Sequence, residues 1–196
     1  MTIGQKINEN SQANITSTTG KIDIGQKVDN YSEAILTAGT TVHIGQDIDQ
    51  HSNAVIVAQG DVTIDGIINQ HSTADITSVK GAINVKRVND TSIVTGLTAG
   101  TTVHIGEKFD QHSNVTVVAQ GDVTIDQKID QHSIADITSV NGSINIGQGL
   151  SGSATATLKA INGSINIGDS VDSGSTVNWS AKQFNCPHQD GTINHI

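Results

Sequence analysis

"HIGQDIDQHSNAVIVAQGDVTID" occupies residues 43–65, and "HIGEKFDQHSNVTVVAQGDVTID" occupies residues 104–126. Residues 41–80 laid over residues 102–141 agree at 29 of 40 positions, an offset of 61. That offset is composite. Gly20, Gly60, Gly81, Gly121, Gly142 and Gly163 open successive units, with Thr40 and Thr101 standing in for glycine, at spacings of 20, 20, 21, 20, 20, 21 and 21. A fixed period of this length marks a repeat architecture, in which each unit is one structural module and three units can be duplicated together.

Within a unit the apolar residues alternate. After Gly121 come Val123 and Ile125, then Ile129, then Ser133, Ala135, Ile137 and Ser139, separated by polar residues. The unit at Thr40 repeats this with Val42, Ile44, Ile48, Ser52, Ala54, Ile56 and Ala58. Period two puts one face inward and one outward, as in strands, and the Ile, Val and Thr content suits a pleated surface. A β-sandwich needs no fixed period; a parallel β-solenoid demands one, because equivalent residues of successive coils stack about 4.8 Å apart. The pattern therefore predicts an all-β chain: a single right-handed parallel β-helix of about nine coils of 20–21 residues. Ile44, Ile64, Val85, Ile105, Ile125, Ile146 and Ile167 form one inward ladder, faced by Ala54, Ala74, Ala135 and Ala156.

The solenoid is expected to span residues 1–182, with a C-terminal cap or tail over residues 183–196. Trp179, Phe184 and Pro187 carry the cap, since proline cannot extend a ladder and a ring can close an open core. No comparable device stands at the other end, where Met1, Ile3, Ile7 and Ile15 occupy core positions. The expectation there is self-association through residues 1–19, giving a homodimer.

Composition limits the function classes. Aromatics are 2% of 196 residues, and 10 Lys plus Arg against 19 Asp plus Glu give a net charge of −9. Such a surface repels nucleic acid and anionic membranes, so neither is an expected partner. Cys186 is the only cysteine, which precludes an intrachain disulfide. The opening residues carry no apolar signal region, and nowhere do 18 apolar residues run together, so the reading is a soluble chain, cytoplasmic or exported by a route without a Sec signal.

The candidate sites are few. "DQHS" or "NQHS" recurs at residues 49–52, 69–72, 110–113 and 130–133, which places His51 beside His71 and His112 beside His132 on adjacent coils. Paired imidazoles are candidate metal ligands, although a histidine preceding an inward serine is also simply a solvated outward residue copied with its unit. Asn8, Asp29, Asp49, Asn69, Asp110, Asp130 and Asp172 mark a corner, where an Asx turn explains them without a ligand, and a self-repelling carboxylate column leaves calcium open. Gly25, Gly45, Gly106, Gly147 and Gly168 are read as corners requiring positive φ. Ser52, Ser72, Ser113 and Ser133 are inward ladder residues rather than nucleophiles, and no nucleophile motif, phosphate loop or CxxC stands out. No enzymatic activity and no cofactor are expected. The unit containing "NVKRVNDTSIVTGLTAG" breaks the pattern, which predicts a bulge or altered corner around residues 86–96.

The glycine-punctuated, Ile/Val-alternating units of about 20 residues resemble the β-helical repeats of filamentous-haemagglutinin-type adhesins and other bacterial β-solenoid surface proteins. The resemblance covers residues 1 to about 182 and implies a rigid, non-enzymatic module that presents polar strand faces to a protein or glycan partner. A self-assembling filament, or an ice-binding face built on Thr16, Thr37, Thr77, Thr98 and Thr138, is the alternative.

Overall fold

A computed structural model describes residues 1–196. It contains strands and turns with no helix, arranged as one large parallel sheet wound into a β-solenoid of about ten turns. The repeats dictate this directly. Each coil contributes a short first strand, such as Val42–Ile44 or Val103–Ile105, and a longer second strand, such as Asn53–Ala58 or Asn114–Ala119. Every strand bonds to its equivalent one coil away: Ile24, Ile44, Ile64, Val85, Ile105, Ile125, Ile146 and Ile167 lie in a single register column.

The core is made of such columns. Leu36, Ile56, Ile76, Leu97, Val117, Ile137 and Leu158 form a second, and a third runs from Ile7 through Val28, Ile48, Ile68, Val88, Phe109, Ile129 and Leu150 to Val171. All of these side chains are buried in one cluster. Burying each large aliphatic is worth about 1.5–3 kcal/mol relative to exposure, so a coil is stabilised chiefly by the ladder above and below it.

The count of turns exceeds nine because the C-terminal segment continues the ladder. Gln183–Asn185 pair with Ser164–Asn166, and Thr192–His195 pair with Thr176–Trp179 at a shortened offset of 16. Trp179 stacks on Phe184 with ring centroids 4.8 Å apart, and His195 tilts against it at 4.4 Å. Pro187 falls in the break between the strand Thr176–Asn185 and the strand His188–Gln189. At the other end Ile7 and Ile15 are buried, Ile3 is half-buried and Met1 is exposed.

The irregular unit resolves into a matched loss and gain. Between Val85 and Val88 the chain has two residues, where the equivalent Ile105 to Phe109 has three, so Arg87 pairs with Ile67 across a register shift. The missing residue returns between Val94 and Leu97, where Thr95 bulges out of both neighbouring ladders and Gly96 pairs with Asp75 on one side only. The unit keeps its 20-residue length and its inward ladder.

Candidate functional site

The glycines at the first corner do not adopt the left-handed conformation expected of them. Only Gly152 and Gly174 among the glycines have positive φ. At Gly147 the requirement is close approach, since a Cβ there would lie 2.1 Å from the carbonyl oxygen of Asp126 in the preceding coil.

Positive φ appears instead at non-glycine residues of the second corner. Gln50 and His51 have φ of 53° and 60°, Gln70 and His71 have 52° and 59°, and the pair recurs in almost every coil. Two consecutive left-handed residues form a tight turn of the type I′ class, and Ser52 N–H donates back to the Asp49 carbonyl at 3.3 Å. Left-handed non-glycine residues carry strain, so the surroundings must hold them there. The ladder does so: Tyr31 N–H donates to Gln50 O, His51 N–H to Gln70 O, His71 N–H to Asp90 O, Thr91 N–H to Gln111 O and His112 N–H to Gln131 O.

The corner therefore projects one outward side chain per coil in a straight column. Tyr31 stacks on His51 at 4.9 Å, His51 on His71 at 5.0 Å, and His112 on His132 at 5.0 Å, with ring planes within 13° of parallel. The proposed metal-ligand pairs are thus brought together, but face to face. Nitrogen lone pairs lie in the ring planes, so in this arrangement the two imidazoles of a pair direct them side by side rather than toward one point. A metal about 2.0–2.1 Å from one nitrogen along its lone pair would stand too far from the other.

The carboxylate column is neutralised by a second column that sequence reading missed. Lys27 Nζ lies 3.0 Å from Asp29 and 3.3 Å from Asp49; Lys108 Nζ lies 2.6 Å from Asp110; Lys128 Nζ lies 2.7 Å from Asp130. The signal was present as a lysine two residues before the acid, in "KVD", "KFD" and "KID". These ammonium groups supply the positive charge for which calcium was considered. The expected bond from the acid to its local backbone is made by Asp110 and Asp130, but their Oδ1 atoms accept from the very next N–H at 2.9 Å, one residue short of the donor that an Asx turn uses. No such bond is made by Asp29 and Asp49, whose Oδ1 atoms have no partner. Burial pushes the Asp49 carboxyl above its ordinary value despite the opposing pull of Lys27, and nearby Asp47 and Asp29 push the same way. Lys27 is held above its own ordinary value, chiefly by its hydrogen bond to the nearer Asp29. Asp47 occupies the lysine position of its coil and accepts from Ile67 N–H instead.

The inward serines form the expected structural ladder: Ser32 N–H donates to Ser52 Oγ at 3.3 Å and Ser52 N–H to Ser72 Oγ at 3.2 Å. On the first-strand face His43 bridges two coils, with Nδ1 3.2 Å from Asp23 and Nε2 2.8 Å from Asp65; its duplicate His104 keeps only Asp126, at 2.9 Å. The hydrogen bond to Asp65, helped by that to Asp23, raises the His43 pKa.

No protein-family model, no curated protein and no solved structure matches the chain. The class defined by the fold is a parallel β-solenoid, and the likeness to filamentous-haemagglutinin repeats rests on the sequence pattern. No helix is long and apolar enough to cross a membrane.

Proposed function

We propose that the chain is a non-enzymatic binding rod of the adhesin-like kind, presenting the outer face of its second strands to a protein or glycan partner. The observation that carries this reading is the register of that face, which is resumed on both sides of the bulge at Thr95. Thr16, Thr37, Val57, Thr77, Thr98, Val118 and Thr138 lie in one outward column. A parallel column runs through Asn53, Thr73, Ile93, Asn114, Ile134 and Thr155. Both are uncharged over this length in a chain of net charge −9. Uncharged, hydroxyl-rich and amide-rich strips of fixed spacing suit an extended ligand that repeats at about the strand spacing, such as a second protein's strand or a glycan chain. The inward acids, lysines and serines are occupied in holding the corners, which leaves the outer columns free for contact.

The test is a glycan array together with affinity capture, run on the native chain and on a Thr77→Lys, Thr138→Lys double variant. The expected result is a defined glycan or protein captured by the native chain and lost from the variant, with unchanged circular dichroism. Capture that survives both lysines, or an absence of capture by the native chain, would overturn this reading.

A further inference from the structure

The column of stacked rings has one interruption. Its backbone positions are continuous through Thr91, whose φ of 57° matches the 59° of His71 and the 61° of His112. The rings on either side keep a step of 5.0 Å. Two such steps along the ladder separate the position of His71 from that of His112, a spacing of about 10 Å with Thr91 between them. Threonine has no atom beyond the γ position, whereas an imidazole ring only begins there, so Thr91 forms the floor of the gap without filling it. A planar ring seated midway would lie at the same spacing from each imidazole that the protein's own rings keep from one another.

We propose that this slot, walled by His71 and His112 and floored by Thr91, receives an aromatic side chain of a protein partner. Three features favour that occupant. Stacked and offset aromatic pairs add stabilisation beyond area burial, and here both faces of the incoming ring are covered. Ile93, two residues along the same coil and also outward, is 45% exposed and offers an apolar neighbour to the residues flanking the ring. Asp90 replaces the glutamine of the histidine-bearing coils (Gln50, Gln70, Gln111, Gln131), and with the net charge of −9 it disfavours a phosphate-bearing base as the occupant. The same coil carries the compensated deletion and the bulge at Thr95, so the departure from the repeat and the slot coincide.

The inference rests on the binding-rod reading but is tested without the partner. N-acetyl-tryptophanamide, titrated into the native chain and followed by NMR, is expected to shift His71, Thr91 and His112 selectively, with millimolar affinity. N-acetyl-leucinamide, which has no ring, should not. Thr91→His restores the repeat residue and completes the column, so it should fold normally and weaken the tryptophan probe at least about tenfold. His112→Ala removes one wall and should also weaken it. Equal binding by Thr91→His, equal shifts with the leucine probe, tighter binding of adenosine than of the tryptophan probe, or no selective shift at all would each overturn the assignment. Failure here would leave the capture experiment on the outer columns unaffected.

Discussion

Replacing Lys27 by methionine removes the ammonium shared by Asp29 and Asp49 while keeping most of the side-chain volume, and leaves Asp29 only the more distant Lys6, at 3.7 Å. Asp29 and Asp49 are 2% and 5% exposed, and one oxygen of each already lacks a partner. Breaking a buried ion pair by removing one member costs about 3–5 kcal/mol; Lys27 keeps 24% of its side chain exposed, and screening lowers the expected loss to about 2–3 kcal/mol. For a chain of this size that corresponds to a fall in Tm of about 4–12 °C. The pH dependence has a definite sign. Lys27 has a raised pKa in the folded state, so its contribution is fully present below the unfolded value of about 10.4 and is lost as pH rises through the folded value. In the variant the Asp49 carboxyl, already pushed up by burial, loses its opposing cation, so the deficit is largest at neutral pH and shrinks as acid protonates it. Thermal melts at several pH values measure this directly. Exposed Lys159, which makes no ion pair, supplies the control: Lys159→Met should fall within about 0.5 kcal/mol of the native chain. Equal melting of the two variants at pH 7, or a Lys27→Met deficit that grows in acid, would refute the reasoning.

The raised pKa of His43 means that its stabilisation is present below the unfolded value of about 6.5 and is lost as pH rises through the folded value. The stability difference between native chain and His43→Gln should therefore close above neutrality, and NMR titration should place His43 above an unpaired histidine. Gly147→Ala drives a Cβ to within 2.1 Å of a backbone oxygen and should cost about 2 kcal/mol or more by denaturant melt, whereas the nearest atom at Gly106 is 3.8 Å away and Gly106→Ala should be close to neutral.

Much of the architecture is legible from spacing because a solenoid makes tertiary structure nearly a function of period. When units of equal length stack in register, knowing the inward residues of one coil gives the inward residues of all. This is why the Ile44 to Ile167 ladder, the small residues opposite it and the inward serines could be placed from alternation alone. The irregular unit was legible for the same reason, since an early Val88 in an array of constant length requires a compensating residue later, and the bulge at Thr95 supplies it.

The unread features all depend on contacts between coils or on backbone conformations that composition does not signal. Lys27 pairs with Asp49, 22 positions away, as well as with Asp29, two positions away, and only the stacking of corners makes both reachable. The left-handed pair at Gln50 and His51 carries no glycine to mark it; it is imposed by hydrogen bonds from the neighbouring coils rather than by local propensity. Conversely, Gly147 looked like a conformational requirement and is a steric one, because the crowding atom belongs to the coil beneath. The sequence alone determined which residues share a column, since column membership follows from period. Only the tertiary structure decided how the side chains of a column meet: whether imidazoles converge on an ion or stack face to face, and whether one threonine among them leaves a gap with the width of a ring. Those outcomes depend on turn conformation and side-chain direction, which the repeat leaves open.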